Sequence, residues 1–455
     1  MAVVSNLLLS LLSFLVALGV LISVHEFGHF WVARRCGVKV LTFSLGFGQP
    51  LWQRRFGVDR TEFRLAAIPL GGYVRMLDER EEAVDASERH RAFNRQSLSV
   101  RSAVVLAGPA FNFLFAAFAY WLVLMIGTTA LKAMVGEVSP GSLAAEAGFA
   151  HGDRIVAVGK RETPTWPTAL EALLPQVIDG SRVEITVERG GGRSLLELDL
   201  GRLERRDTRN LLGDLGLSVL RPTLPAVVGG VVEGSPAQLA GLRSGDRVLR
   251  IDGELVDDWN ALVAMISARP GESLQLHLSR DGERLQQVVV AQAVDGEDGP
   301  IGRIGVSVDY PREALDEWFD SNRSGPLDAA FAGVARTGEM ALLTLRVIGQ
   351  MVSGRMSLEN LSGPLTIAEY AGHSARIGVV QFLSFLAIIS ISLGVINLLP
   401  IPLLDGGHLL YYLLEAVRGR PLSEAAQMVG QRIGLALIFA LMGLAIFNDL
   451  ARLLG

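Results

Sequence analysis

His25 and His29 stand four residues apart, with Glu26 beside the first, in the stretch VLISVHEFGHFWVARR of residues 20–35. On a helix that spacing puts both imidazoles on one face. Imidazoles so placed can hold zinc and leave the glutamate free to take a proton from a metal-bound water. Zinc lowers that water's pKa to roughly 7, so hydroxide is available at neutral pH. A catalytic zinc takes three protein ligands and keeps one position open. The third is sought in NLLPIPLLDGGHLL, residues 397–410, where Asp405 is the first charged residue after a long apolar run. Asp405 would equally suit the N-cap of a following helix, and the position by itself leaves cap and ligand open. His408 is close to Asp405 but would crowd a tetrahedral site. His373 and His151 are set aside because they fall in the segment assigned below to the other side of the membrane.

Pro400 and Pro402 each remove a backbone donor and disrupt a helix. Broken helix in a membrane persists only where protein or water satisfies its polar groups. The stretch therefore predicts an unwound, polar-lined pocket ending at the metal, with Asn397 and Pro400 on the substrate side. An interhelical hydrogen bond is the other reading of Asn397. Asn112, in AGPAFNF at residues 107–113, follows a Gly-Pro pair; it lines the same cavity or supports packing, and support is the favoured reading.

The elements that must position these groups are apolar helices. The chain has 455 residues, half of them hydrophobic, and its mean hydropathy is positive. Its formal net charge is −5 with no basic block, which argues against a nucleic-acid partner. Cys36 is the only cysteine, so no internal disulfide forms. A membrane-spanning helix takes roughly 20 apolar residues. Met1–Val24, Ser102–Thr129 and Ile377–Leu404 meet that requirement, and Ile433–Asn448 is the shortest candidate. The first stretch lacks a basic n-region and reads as a retained helix. Arg34, Arg35, Lys39, Arg54, Arg55, Arg60 and Arg64 follow it, which places that loop in the cytoplasm and the N-terminus outside. Helices one and three then both run inward and bring His25, His29 and Asp405 to the same leaflet, which favours the ligand role for Asp405. His25 lies nine residues before Arg34, roughly 14 Å along a helix, so the motif is below the lipid surface. An acidic residue there costs on the order of 3 kcal/mol, and intramembrane ionisable groups are usually functional.

The outer segment contains a repeat. GSLAAEAGFAHGDRIVAVG begins at Gly141 and GSPAQLAGLRSGDRVLRIDG at Gly234, and their Gly152-Asp153 and Gly245-Asp246 pairs are offset by 93 residues. Each unit reads as an α+β module of about 90 residues. The modules resemble PDZ domains, which take a peptide as an added strand; peptide capture and a steric role stay open. Residues 311–376 have a helical pattern with scattered charges, lying along the membrane surface or packed on the second module.

His25-Glu26-Phe27-Gly28-His29, Gly108-Pro109-Ala110-Phe111-Asn112 and Asn397-Leu398-Leu399-Pro400-Ile401-Pro402-Leu403-Leu404-Asp405-Gly406 occur in the order of the motifs of site-2 proteases. Essentially the whole chain resembles that family of intramembrane zinc metalloproteases, peptidase family M50. The resemblance implies Zn2+ bound by His25, His29 and Asp405, and Glu26 as general base. It implies a bacterial inner-membrane location and single-pass membrane substrates such as anti-sigma factors already shortened by another protease, or remnant signal peptides. It also implies a re-entrant β-hairpin, for which FRLAAIPLGGYVRM, residues 63–76, is the candidate; its turn would form at Pro69, Gly71 and Gly72.

The expected class is thus a polytopic α-helical membrane protein with four transmembrane helices and two inserted α+β PDZ-like domains. Helix one with the histidine motif covers 1–33. A cytoplasmic loop at 34–100 holds the hairpin near 62–77, and helix two covers 101–129. PDZ-like domains occupy 130–221 and 222–310, followed by the amphipathic segment at 311–376. Helix three covers 377–404, a cytoplasmic loop 405–432 and helix four 433–450. The modules, placed in the periplasm, would exclude or read the substrate's outer part. A membrane metal carrier would use the same ligands without needing Glu26, and a non-catalytic PDZ scaffold could lose Glu26 or Asp405 freely.

Overall fold

A computed structural model describes residues 2–203, 210–221, 224–296, 299–308, 317–354 and 361–454. Parts of the sequence expectations lie outside these: 311–316 and 355–360 of the amphipathic segment, and 204–209, 222–223, 297–298 and 309–310 of the two modules. The chain divides into two compact units, Met1–Thr128 with Asn322–Gly455, and Thr129–Ser321.

The first unit is a helical bundle. Its helices are α1 (Ala2–Arg35) and α2 (Leu98–Ile126), then α5 (Pro326–Val352), α6 (Pro364–Ile377), α7 (Val379–Leu398), α8 (Asp405–Arg418) and α9 (Glu424–Leu454); α3 and α4 belong to the second unit. Within α1, α2, α7 and α9, the spans Leu7–Arg35, Leu98–Ile126, Val379–Leu398 and Glu424–Arg452 are long and apolar enough to cross a membrane. Leu7, Leu8, Leu11 and Leu12 of α1 are exposed. Such a run of large apolar side chains facing outward suits lipid rather than water. Inside, Ala116, Ala119 and Tyr120 of α2 close on Ala387, Ile391 and Val395 of α7.

Several boundaries differ from the sequence reading, each for a local reason. The helix of the third span stops at Leu398, because Pro400 and Pro402 cannot continue it. Leu403 in the break has φ +86°, a left-handed conformation unfavourable to a branched side chain. The segment expected as a loop at 405–432 is mostly helix: α8 starts at Asp405 and α9 at Glu424. Within 311–376, α5 and α6 belong to the helical unit. A side chain at Gly333 of α5 would press on the Ala117 carbonyl and Trp121 of α2, and α6 packs against α1, where Gly372 meets Ser10. Asp449 of α9 fixes the start of α6 by accepting the N–H groups of Gly363 and Leu365, both at 2.9 Å, and the Thr366 hydroxyl at 2.6 Å.

Between α1 and α2 lie β1 (Val40–Phe56) and β2 (Thr61–Met76). The hairpin expected over 62–77 is built differently. Residues 72–76 pair with 40–45 rather than with 62–65; the latter align with 42–45 on the other side and also with 52–55. The first part of β1 thus sits between the two halves of β2, because Phe43 and Phe63 pack with Phe30 of α1.

The second unit holds two modules of like topology. In the first, β3 (Arg154–Val158), β4 (Arg161–Glu162), β5 (Arg182–Arg189) and β6 (Gly192–Asp199) form an antiparallel sheet ordered β4-β3-β5-β6. Helix α3 (Trp166–Asp179) buries Trp166, Ala169, Leu173 and Val177. In the second, β7 (Arg247–Ile251), β8 (Glu254–Leu255), β9 (Ser273–Arg280) and β10 (Glu283–Val290) repeat the order as β8-β7-β9-β10, with α4 (Trp259–Ser267). The duplicated Gly-Asp pair has a structural task in both. Fully buried Asp153 receives Arg189 Nε at 2.6 Å, and Asp246 receives Arg280 Nε at 2.6 Å; each guanidinium also reaches a glycine carbonyl, Gly148 or Gly241, at 2.8 Å.

Candidate metal centre

His25 and His29 lie on the last third of α1, and Asp405 opens α8 after the break at the end of α7. The fold brings all three together: one potential ligand atom from each lies within 4.8 Å of the others, the one such cluster of three among the described residues. His25 Nε2 is 3.2 Å from His29 Nε2 and 3.2 Å from Asp405 Oδ2, and His29 Nε2 is 3.6 Å from that oxygen. The rings meet edge to face, with centroids 4.8 Å apart.

These contacts are close without being hydrogen bonds that satisfy the carboxylate. Asp405 Oδ2 is buried and has no hydrogen-bond partner. His29 Nδ1 donates to the Val104 carbonyl at 2.8 Å; a carbonyl only accepts, so Nδ1 carries the proton and Nε2 presents a bare lone pair. The His29 lone pair and an anionic oxygen therefore face one point, an arrangement a cation would satisfy. Atoms bound tetrahedrally to zinc at about 2.0–2.1 Å lie about 3.3 Å from one another, close to the three separations here. Two imidazoles and a carboxylate with a fourth position free is the donor set of a catalytic zinc. The residues fit that ion.

The alternative of a cap for Asp405 does not describe its side chain. Leu404 occupies the N-cap position and Asp405 is the first helical residue, its carboxylate turned to the imidazoles. Gly406 and Gly407 make this possible: a side chain at Gly406 would strike the backbone of Leu398 and Leu399, so α8 can tuck its N-terminus under α7 only with glycine there. His408 lines the same cavity as Asp405 but is not in the three-residue cluster. His151 Nδ1 approaches the Gly136 carbonyl in the first module, at 3.1 Å, and His373 is on α6.

Glu26 lies beside His25 and lines a cavity of about 510 Å³ with His29 and Asp405. The cavity continues to Arg80, Arg101 and Glu415. Arg101 reaches Glu415 at 2.7 Å and lies over the Tyr412 ring at 4.9 Å, tying α2 to α8. Asp78 is held below the usual carboxylate range: burial would raise it, but the Arg80 guanidinium and backbone N–H outweigh burial. Polar side chains thus line the cavity beside the three-residue cluster. Val74, Arg75 and Met76 line the same cavity, and a side chain at Gly72 would come within 3.1 Å of Glu26 Cγ and 3.0 Å of Ile22. The 72–76 segment of β2 therefore runs alongside the glutamate.

Asn397 is half-buried on the last turn of α7 and Pro400 is exposed just beyond it. Of the two readings of Asn112, the favoured one, packing support alone, does not describe it: its amide nitrogen is 3.0 Å from His25 Nδ1. The signal was present in the sequence: Gly108 and Asn112 are four apart on α2, so a helix puts them on one face. What the sequence lacked was the pairing of that face with α1.

The model of peptidase family M50 matches residues 13–441. The chain is 43% identical over 454 residues to the regulator of sigma-E protease RseP of Escherichia coli (strain K12), covering 98% of this chain and 100% of that protein. It is 43% identical over 454 residues to protease RseP of Yersinia pestis, with the same coverage. Against a putative zinc metalloprotease of Vibrio cholerae serotype O1, identity is 43% over 457 residues, 99% of this chain and 100% of that one. Among solved structures, the PDZ domain of the SdrC-like protein Lmo2051 of Listeria monocytogenes is 21% identical; it matches 20% of this chain and 92% of its own, with a TM-score of 0.17, too low to bear on the fold of the modules. The chain belongs to peptidase family M50, and it is a zinc metalloprotease of the intramembrane, site-2 kind.

Proposed function

We propose that His25, His29 and Asp405 hold the zinc and that Glu26 is the general base for hydrolysis of a peptide bond inside the bilayer. The observation that carries this reading is the approach of three ligand atoms to one point, with Glu26 on the adjoining cavity wall. When bound, zinc polarises the scissile carbonyl and acidifies water. Glu26 accepts the proton of the attacking water and returns it to the amide nitrogen as the C–N bond breaks. A helical substrate hides its amides in its own hydrogen bonds, so it must first unwind. The freed groups have two receivers: the edge of β2 at 72–76 beside Glu26, and Asn397 with the open backbone around Pro400.

The substrates are single-pass membrane proteins of the anti-sigma-factor type, cut in a bacterial inner membrane after a first protease has shortened them. The name of the Escherichia coli relative, regulator of sigma-E protease RseP, ties that protein to a sigma factor. The PDZ-like modules lie on the periplasmic side and exclude, or bind, the outer part of the substrate; the active site lies toward the cytoplasmic side.

Cleavage of a single-pass reporter by the purified chain, with bound zinc measured in parallel, tests the assignment. Glu26→Gln keeps the zinc and loses cleavage by about 10²–10⁴-fold, whereas His25→Ala and Asp405→Ala lose the metal. Unchanged cleavage in Glu26→Gln removes Glu26 from the mechanism. Deleting the modules lets longer substrates be cut, and an unaltered length preference refutes the filter.

A further inference from the structure

One stripe of α2 faces both imidazoles. Val104, Gly108 and Asn112 follow one another at intervals of four. The carbonyl of Val104 accepts a hydrogen bond from His29 Nδ1 at 2.8 Å, and Gly108 leaves room for the rings. Asn112 is fully buried and stands 3.0 Å from His25 Nδ1. Its amide nitrogen faces the ring, while its Oδ1 is buried without a hydrogen-bond partner. That arrangement suits a His25 whose proton is on Nε2, the nitrogen turned toward His29 and Asp405. A ligand imidazole needs the other tautomer, with Nε2 bare and the proton on Nδ1. A half-turn of the amide about its last side-chain bond exchanges oxygen and nitrogen. The half-turn gives Nδ1–H an acceptor and removes the unpartnered buried oxygen.

We propose that Asn112 is a positioning residue whose amide oxygen accepts from His25 Nδ1 and fixes His25 with Nε2 free for the metal. This rests on the reading of His25, His29 and Asp405 as zinc ligands. The Gly-Pro-Ala-Phe-Asn segment of α2 then serves the metal centre as well as helix packing: both distal ring nitrogens are held by α2, one by main chain and one by side chain. Ser390 of α7 donates to the Asn112 carbonyl at 2.8 Å and keeps that turn in place.

The test is the zinc dissociation constant of the full chain in detergent, measured by competition with a chromophoric chelator. Asn112→Leu preserves volume and removes the acceptor; Asn112→Asp restores an acceptor at the expense of a buried charge. A positioning role predicts affinity weakened about 10–100-fold in Asn112→Leu and kept within about threefold of wild type in Asn112→Asp. A packing role predicts the reverse order, because leucine suits an apolar contact and a buried carboxylate does not. Zinc affinity undiminished in Asn112→Leu, or lost equally in both variants, overturns the proposal. Melting temperatures with excess chelator check that each variant folds, and the spectrum of the cobalt-loaded protein reports ligand geometry independently of cleavage. Wild type that takes up no zinc would instead refute the ligand reading itself, a result distinct from failure of Asn112.

Discussion

Gly108→Ala adds one methyl group to the wall of the metal centre. Its Cβ would stand 2.6 Å from His29 Cε1 and 2.7 Å from His25 Cε1, with His29 Nε2 closer still. Ordinary contact begins at 3.4 Å, so the His29 ring must retreat by more than about 0.8 Å and the His25 ring by about 0.7 Å. His29 cannot do so without leaving the Val104 carbonyl, nor His25 without leaving Asn112. The helix cannot easily yield either, since Val104, Val105 and Ala107 are buried near Pro109. Ligand positions tolerate only about 0.2 Å. Zinc affinity should therefore fall at least about tenfold, and cleavage about 100-fold. Overpacking costs only about 1–3 kcal/mol, so the chain should still fold. The assay is zinc content at buffered free zinc, beside thermal unfolding with chelator present. Gly338→Ala on α5, where a side chain meets nothing within 4 Å, is the control. Wild-type zinc affinity in Gly108→Ala would refute the claim that α2 shapes the metal centre.

Other consequences follow from the same geometry. The Asp246 carboxyl is held below its ordinary range: burial raises it, but Arg280 and the Arg243 N–H dominate. Its stabilising contribution is therefore full above about pH 4 and fades as pH falls through the lowered folded value; Asp246→Asn should flatten the loss of stability on acidification, measured by unfolding between pH 3 and 6. Asp246→Ala should cost about 3 kcal/mol, the low end for a broken buried pair, because Arg280 is 21% exposed. Asp449→Ala strands the donors of Gly363, Leu365 and Thr366 at the start of α6; at about 1–3 kcal/mol for each buried unsatisfied group, the melting temperature should fall while zinc affinity stays unchanged. A double-mutant cycle of Arg101→Gln and Glu415→Gln should give a coupling of about 1–3 kcal/mol, and additivity would mean the pair does not join α2 to α8.

The sequence by itself determined the parts whose physics is local. Four apolar stretches cannot avoid forming helices in lipid, because nothing else satisfies their backbones there. His25 and His29 share a face by helical spacing alone, and Pro400 with Pro402 required a break before Asp405. Tertiary structure decided what depends on which face meets which. It turned the Asp405 carboxylate to the imidazoles rather than to its own helix N-terminus, a choice of rotamer and packing that composition does not carry. It placed the first part of β1 between the halves of β2, because the Phe30, Phe43 and Phe63 rings pack together across distant positions. It also drew Arg189 and Arg280 onto the repeated aspartates, and Asn112 onto His25. In these last three pairs the partners are separated by at least 34 residues, and only the closed bundle or sheet brings them within bonding distance.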